Sequence, residues 1–286
     1  MQDIHLRDPY ILVEDNCYYL YGTRGDHCWD SCNGFDVYVS RDLENWHGPT
    51  CVFEATPDFW GREQFWAPEV HKYHGKYYMF ATFYAEGKQR ATHILVSDSP
   101  SGRFVPVSKT PHTPERWSCL DGTLYISKAG VPYIVFCHEW MQVSDGEIWA
   151  QRLSDDLVEM VGEPELLFKA SDPQWATGDT FGTDIARYVT DGPFFYRESD
   201  QELFIIWSTL WQGRYVEAIA KSSNGEIDGE WIHSDRFLFE QNGGHGMIFC
   251  DLDQKLRFIM HSPNTSPCER PVLKNIAVCY GTIQVI

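Results

Sequence analysis

Long apolar runs are missing from this chain of 286 residues. A membrane-spanning helix needs about 20 consecutive apolar residues, and no stretch of the sequence approaches that length. The first residues, MQDIHLRDPYILVEDN, also lack the basic region followed by an apolar one that is typical of a secretory signal. We therefore expect a cytoplasmic protein with no membrane partner.

Basic residues are scarce. The sequence has 23 Lys and Arg against 41 Asp and Glu, which gives a formal net charge of −18. A chain of this charge repels nucleic acid, and no Lys- or Arg-rich run offsets the repulsion. The balance excludes a nucleic-acid partner and favours a neutral ligand.

Cysteine pairs with metal-site or redox spacing are also missing. The nine cysteines are an odd number, and they are scattered without a CxxC pair or a zinc-type spacing. We expect mostly reduced thiols, as is usual in a reducing compartment.

Amphipathic helical patterns are nearly absent, whereas one β pattern occurs five times. Each repeat opens with a polar residue beside Gly or Pro, and two apolar strands joined by a polar turn follow. The repeats begin at Asp8, Ala67, Asp121, Asp191 and His245. A radial array explains five similar hairpins better than a sandwich does. The sequence predicts an all-β fold, a five-bladed β-propeller, as a single domain over residues 1–286.

In a propeller, the first strand of each blade lines the central channel. Its polar head should therefore lie near the channel mouth. The five heads are Asp8, Glu69, Asp121, Asp191 and His245. Four carboxylates and an imidazole in one cavity are costly to fold, so the cluster indicates an active site. The alternative is that these residues only cap turns at the strand entries.

Opposed carboxylates beside aromatic side chains suit glycoside hydrolysis. One carboxylic acid protonates the leaving oxygen, and a carboxylate activates water or attacks the sugar. Carboxylates on different blades favour the wider separation, about 6.5–9.5 Å, which admits a water and inverts the anomeric centre.

The sequence resembles glycoside hydrolase family 43. Five motifs occur in order along the chain: RDPYI (Arg7–Ile11), FWAPEVHKYHGKYYMF (Phe65–Phe80), LDGTLYIS (Leu120–Ser127), DGPFFYR (Asp191–Arg197) and GGHGMIF (Gly243–Phe249). The resemblance implies an inverting enzyme on a five-bladed propeller that acts on arabinose- and xylose-containing plant polysaccharides.

The resemblance also implies catalytic roles. Asp8 matches the general base, Asp121 the residue that tunes and orients the acid, and Asp191 the general acid. The family usually has Glu where this chain has Asp191, and the shorter side chain withdraws the carboxyl by about 1.5 Å. Glu139, in CHEWMQ, is a rival acid or a group that binds a sugar hydroxyl.

Substrate-binding positions follow from the same motifs. Arg7, Trp66, Glu69, Glu139 and Arg270 are the candidates. Trp66 would either stack on the sugar or wedge between blades. For Glu69 and Arg270, the alternatives are a structural role and a surface ion pair with Glu269, respectively.

His245 matches a histidine that holds a central calcium ion, through water, in many members of the family. A metal-free channel is the alternative, because calcium prefers oxygen ligands. We expect no organic cofactor. Loops at 24–34, 83–91, 140–146 and 170–188 should form the pocket walls.

We therefore expect an inverting, exo-acting hydrolase that releases single arabinofuranosyl or xylosyl units from oligosaccharides. An α-L-arabinofuranosidase ranks first and a β-xylosidase second. The alternative is a sugar-binding propeller with little or no turnover, which the Asp191 departure supports. The sequence is consistent with a monomer or a homodimer.

Overall fold

The computed structural model describes residues 1, 3–25, 28–29 and 32–286. Its strands form five four-stranded antiparallel sheets, each built from one contiguous stretch of chain. The strand order within every sheet follows the sequence. This arrangement confirms the predicted five-bladed β-propeller.

The blades share one plan, with the first strand innermost. Blade I has β1 (Leu6–Glu14), β2 (Cys17–Arg24), β3 (Gly34–Ser40) and β4 (His47–Glu54). Blade II has β5 (Glu63–Tyr73), β6 (Lys76–Tyr84), β7 (Ala91–Ser97) and β8 (Val105–Pro106). Blade III has β9 (Cys119–Ile126), β10 (Pro132–His138), β11 (Glu147–Arg152) and β12 (Glu165–Lys169), with the short helix α1 (Trp140–Val143) after β10. Blade IV has β13 (Asp191–Ser199), β14 (Glu202–Trp211), β15 (Arg214–Ser222) and β16 (Trp231–His233). Blade V has β17 (Gly244–Cys250), β18 (Leu256–Ser262), β19 (Arg270–Cys279) and β20 (Thr282–Val285).

Aromatic side chains fill the seams between blades. Between blades I and II, Phe35 of β3 lies 5.9 Å from the ring of Phe65 and 5.8 Å from that of Phe83, and the two blade II rings meet edge-on at 4.9 Å. Such offset and edge-on pairs add to the gain from burying large apolar surfaces. Most of the aromatic content therefore belongs to the core.

Every innermost strand carries the same β-bulge, in which two residues oppose one on the neighbouring strand. The bulged pairs are 8–9, 67–68, 121–122, 192–193 and 245–246. The first residue of each pair has a positive φ: Asp8, Ala67, Asp121, Gly192 and His245. A bulge bends the strand and re-aims its side chains, which turns these positions toward the axis.

Glycine is required at one of these bulges. Gly192 has a φ of +47°, and a Cβ there would lie 2.7 Å from the ring of His245. A side chain at this position would be both strained and in collision. Gly192 thus lets blades IV and V approach closely at the axis.

Blades V and I share no strand, so side chains close the ring. The backbone N–H of Asp8 donates to Nδ1 of His261 at 3.2 Å, and the Leu252 N–H donates to the Tyr18 hydroxyl at 2.8 Å. All nine cysteines are free thiols. Within the described residues, no helix has the length and apolar character needed to cross a membrane.

Candidate active site

A small pocket opens at the propeller axis. Its lining comes from the first blade to the fifth: Arg7, Asp8, Cys28, Trp29, Trp66, Leu120, Asp121, Asp191 and His245. Except for the two residues from the loop after β2, each of these is the first bulge residue or the residue before it. The bulges therefore build the pocket.

The prediction that the five polar heads occupy equivalent positions was wrong for Asp191 and Glu69. Asp191 precedes its bulge, so Gly192 is the residue equivalent to Asp8, and Asp191 is equivalent to Arg7. Glu69 is the residue immediately after its bulge. It lies two positions beyond Ala67, which is the residue equivalent to Asp8. Since polar residues recur at similar but unequal places, the sequence pattern concealed these offsets.

Glu69 lies one layer deeper than the pocket lining. Its Oε2 accepts hydrogen bonds from the hydroxyl of Thr123 at 2.6 Å and contacts Nε2 of His71 at 3.0 Å. Tyr10 contacts the same imidazole at Nδ1, at 3.4 Å. The expectation that Glu69 binds a sugar hydroxyl is corrected to a structural position beneath the site.

Asp8 is buried and surrounded by groups that favour its ionised form. The Thr23 hydroxyl donates to Oδ2 at 2.6 Å. Nδ1 of His245 and Nδ1 of His261 each lie 3.3 Å from Oδ1. Burial alone would raise the pKa of Asp8, but the neighbouring imidazoles of His245 and His261 and the charge of Arg7 hold that pKa well below its usual value. Asp8 is an ionised carboxylate at neutral pH.

The surroundings of Asp121 and Asp191 have the opposite effect to those of Asp8, because they raise the pKa values of these two carboxyl groups. Burial and the neighbouring carboxylate Asp8 raise the pKa of Asp121 to about 7. Burial and the charge of Asp121 raise the pKa of Asp191 well above its ordinary value. Because both pKa values are raised and the two carboxyl groups are coupled, the pair retains a proton at neutral pH. The pocket thus holds an ionised and a protonated carboxyl, as acid–base catalysis requires.

Two further residues contact Asp191 and Asp8, and neither was identified from the sequence. Tyr215, in β15, donates its hydroxyl to Oδ2 of Asp191. His261, in β18, accepts the Asp8 N–H at Nδ1 and contacts Asn264 Oδ1 through Nε2. Burial lowers the pKa of His261, so its imidazole is neutral. Neither residue lies in a recognisable motif, and only the pairing of the strands brings them to the axis.

A ring of five hydrogen bonds links the bulges to the preceding blades. In four of them, a side chain of the second strand accepts the N–H of the next bulge: Thr23 from Ala67, Thr82 from Asp121, Ser208 from His245 and His261 from Asp8. In blade III the corresponding second-strand residue is Cys137, and Oδ2 of Asp121 accepts the Gly192 N–H at 3.0 Å instead. Asp121 therefore also positions the strand that carries Asp191.

A buried carboxyl in blade IV supports this ring. Oε2 of Glu217 accepts hydrogen bonds from the Ser208 hydroxyl at 2.8 Å and from the Gly246 N–H at 3.2 Å. Burial raises the pKa of Glu217 to about 8. Glu217 holds Ser208, and Ser208 in turn holds the His245 backbone. The sequence offers no signal for it beyond an acid within an apolar strand.

Aromatic residues form one wall of the pocket. Trp66 and Trp29 meet edge-on at 5.3 Å, and the Trp66 indole N–H donates to the Cys28 carbonyl. Trp29 is 60% exposed, so its ring stands at the pocket mouth. Trp66 both lines the pocket and packs against blade I. It can therefore stack on a bound sugar and also act as a wedge between blades. Residues 26, 27, 30 and 31 of the predicted wall loop at 24–34 lie outside the described residues.

Glu139 lies outside the pocket. Its Oε1 forms a buried ion pair with Arg90, and its Oε2 accepts the Ser118 hydroxyl at 2.6 Å. It lines a neighbouring cavity between blades II and III. A carboxylate held by arginine cannot readily supply a proton, so the rival-acid hypothesis is not supported by this geometry.

Arg270 also lies outside the axial pocket. The arginine that lines the pocket is Arg7. Arg7 donates to Oε1 of the buried Glu269 at 2.5 Å and lines the pocket. Arg270 instead donates to backbone carbonyls, at 2.7 Å for Glu269, and contacts Nε2 of His5 at 2.6 Å. The side-chain partner of Glu269 is thus Arg7, which differs from the alternative of a surface ion pair between Glu269 and Arg270.

The predicted calcium site can be compared with the donors present. Ligand atoms of Asp121, Asp191 and His245 lie within 4.8 Å of one another. Calcium prefers about six to eight oxygen ligands, whereas this cluster offers an imidazole and two carboxyls, one of them protonated. Nδ1 of His245 also faces Asp8 directly. These residues do not by themselves fit a calcium site.

Comparisons with known proteins place this geometry among enzymes. The chain is 42% identical, with a TM-score of 0.91, to the crystal structure of an endo-arabinase from Bacteroides thetaiotaomicron, and the match covers 98% of this chain and 97% of that one. An endo-1,4-beta-xylanase structure from the same organism is 25% identical, with a TM-score of 0.79, over 99% of this chain and 94% of that one. An extracellular exo-alpha-(1->5)-L-arabinofuranosidase of Cellvibrio japonicus is 22% identical over 86% of this chain and 71% of that protein.

The family model "Glycosyl hydrolases family 43" matches residues 3–272, which is nearly the whole chain. The bulge-built pocket, the propeller and this match agree with one another. The chain therefore belongs to glycoside hydrolase family 43.

Proposed function

We propose that this glycoside hydrolase is an inverting, exo-acting enzyme that releases terminal arabinofuranosyl units. One observation carries the proposal. Asp8, with a lowered pKa, and Asp191, with a raised pKa, line the same pocket from blades I and IV, which are not neighbours in the ring. An ionised base and a protonated acid on opposed blades are what single-step hydrolysis of a glycoside uses.

The proposed step assigns each proton. Asp8 takes a proton from a water molecule as the water oxygen bonds to the anomeric carbon. Asp191 gives its proton to the glycosidic oxygen as the bond from that oxygen to the anomeric carbon breaks. Asp121 stabilises the protonated form of Asp191 before the step, and its charge orients that carboxyl. After product release, Asp8 loses a proton to solvent and Asp191 regains one.

The pocket walls support exo action. Trp29 and Trp66 stand on one side of the small axial pocket, and Arg7 with its buried partner Glu269 stands on another. Such a pocket suits one terminal sugar, with the chain continuing outward. The names of similar proteins, an exo-alpha-(1->5)-L-arabinofuranosidase and a xylosidase/arabinosidase, support arabinofuranose as the first candidate sugar and xylose as the second.

Endo cleavage is the second candidate. The structure that is 42% identical to this chain is named an endo-arabinase. An endo enzyme would need substrate subsites on both sides of the axial pocket. A binding protein without turnover is disfavoured by the raised pKa of Asp191, which an acid catalyst needs and a binding site does not.

The experiment measures hydrolysis of 4-nitrophenyl α-L-arabinofuranoside and 4-nitrophenyl β-D-xyloside, with Asp8→Asn as the inactive variant. Asp98→Asn, at an exposed surface ion pair, is the matched control. We expect kcat to fall by about 10²- to 10⁴-fold in Asp8→Asn, with sugar affinity retained, and no change in the control. Proton NMR of the first product should show the anomer opposite to that of the substrate.

Products from linear arabino-oligosaccharides separate the candidates. Exo action yields single arabinose units from the start, whereas mid-chain products would establish endo cleavage. Sugar binding without hydrolysis of either pentoside would overturn the proposal in favour of the non-catalytic alternative.

A further inference from the structure

A second cavity, of about 480 Å³, lies beside the axial pocket between blades II and III. Its walls include Gln64, Arg90 and Glu139. The Arg90 guanidinium stands 4.5 Å from the ring centroid of Trp66, which lines the axial pocket. A single side-chain layer therefore separates the two spaces.

This cavity continues into a larger one, of about 1080 Å³, at the outer edge of blade II. Tyr84 and Gln89 line both cavities. The outer cavity also includes Trp60, with Nζ of Lys88 located 5.8 Å from its ring centroid. Together the two cavities form a groove that leads outward from the neighbourhood of Trp66.

The charge of the outer cavity opposes that of the molecule. Lys88, Lys109 and Arg116 line it, against the one acid Glu115, in a chain of net charge −18. None of the three cations has an ion-pair partner within the part of the chain that the structure describes. Three unneutralised cations in a cavity attract an anionic group at short range.

We propose that this groove holds the sugar chain beyond the unit in the axial pocket, and that its outer cavity binds a carboxylate-bearing sugar, a uronic acid. The inference rests on the proposed glycosidase function. Trp60 offers an aromatic face for a sugar ring, and the cations offer partners for its carboxylate. Because the rest of the surface repels anions, the cavity would distinguish an acidic chain from a neutral one by a difference in affinity.

Calorimetry on the inactive Asp8→Asn protein tests the proposal. The two probes are a xylo-oligosaccharide that carries one terminal arabinofuranosyl unit and one glucuronic acid, and the same compound after reduction of its carboxyl group. We expect about three- to tenfold tighter binding of the acidic probe, because exposed ion pairs contribute modestly. Adding Lys88→Met, Lys109→Met and Arg116→Met should abolish the preference. Lys76→Met, Arg103→Met and Lys255→Met, exposed cations outside the groove, form a control of equal charge change.

Equal binding of the two probes, or a preference that survives the groove substitutions, would overturn the inference. So would the absence of binding by both probes. Hydrolysis of the aryl pentosides by the unmodified protein is measured separately. A protein that fails there but shows the charge-dependent preference would refute the proposed function and not the groove.

Discussion

The hydroxyl of Tyr215 donates a hydrogen bond to Oδ2 of Asp191 at a distance of 2.9 Å. The same phenol ring stacks on the imidazole of His261 at 5.5 Å, and His261 accepts the backbone N–H of Asp8. One side chain thus connects the surroundings of the proposed acid, Asp191, with those of the proposed base, Asp8. Since burial and nearby carboxylates raise the pKa of Tyr215, it remains a neutral donor.

Tyr215→Phe should slow turnover by about tenfold, the loss expected when one hydrogen bond to a reacting group is removed. The bond favours the ionised form of Asp191, so its loss raises the pKa of that acid further. The alkaline limb of the kcat profile should therefore move to higher pH. Tyr196→Phe, at a surface pair with Glu198, is the matched control. An unshifted limb would show that Tyr215 does not act on the acid.

Asp191→Ala should reduce the hydrolysis of an arabinobiose by about 10²- to 10⁴-fold, as for loss of a general acid. The loss should be smaller for a 2,4-dinitrophenyl arabinofuranoside, because that leaving group departs without a proton. Retention of rate in Asp191→Glu would support an acid at this position. Equal losses on both substrates in Asp191→Ala would argue that the residue is structural.

The pH profile of kcat/KM should be a broad bell. The proposed base Asp8 has a pKa below its usual value, so the acid limb should lie below about pH 4, the ordinary range of a carboxyl. The proposed acid Asp191 has a raised pKa, and its coupled partner Asp121 has a pKa of about 7, so the alkaline limb should lie at or above neutrality. Initial rates at substrate concentrations below KM measure both limbs. An alkaline limb centred near pH 4, where an ordinary carboxyl titrates, would contradict the assignment of Asp191 as the acid.

Glu217→Gln should stabilise the protein at high pH. The folded-state pKa of Glu217 is about 8 against an unfolded value near 4.3, so the folded form binds the proton more tightly. Stability is then full at low pH and declines as pH rises between those values. The glutamine has no proton to lose, so Tm should gain more at about pH 8 than at about pH 5. Glu240→Gln, on the surface, should show no such difference, and equal gains at both values would refute the linkage.

Arg7→Met should raise KM and lower stability by about 3–5 kcal/mol, because it leaves the buried Glu269 without its partner. Arg270→Met should leave KM within about twofold, since Arg270 lies outside the pocket. Steady-state kinetics and thermal unfolding of the two variants provide the comparison. A larger KM effect for Arg270 would place its side chain at the sugar after all.

The blade repeat was readable in the sequence because each hairpin has its own polar head, apolar strands and turn. Asp8, Asp121, Asp191 and His245 were identified for the same reason, and the structure brings all four to one pocket. The bulge could not be predicted. It consumes one residue in every innermost strand, and a pattern of period two cannot show which residue is extra.

Second-strand residues such as His261 and Ser208 could not be identified either. Their contribution depends on which residue pairs with the position before the bulge, and that register is fixed by packing between blades. Glu139 shows the reverse error. Its place at a strand end predicted access to the sugar, but Arg90 lies near enough to capture its carboxylate. An ion pair between different blades has no local signature in sequence.

The seam between the first and last blades consists of side-chain contacts, and two of these, Arg7 with Glu269 and Asp8 with His261, involve residues that line the axial pocket. A sugar bound in this pocket would contact residues of both blades I and V and would link the two blades across the seam. Occupancy should consequently slow amide hydrogen exchange in β1 and in β18 together, although these strands stand at opposite ends of the chain. A substitution at one of these few side chains should therefore alter the pocket and the closure of the ring together.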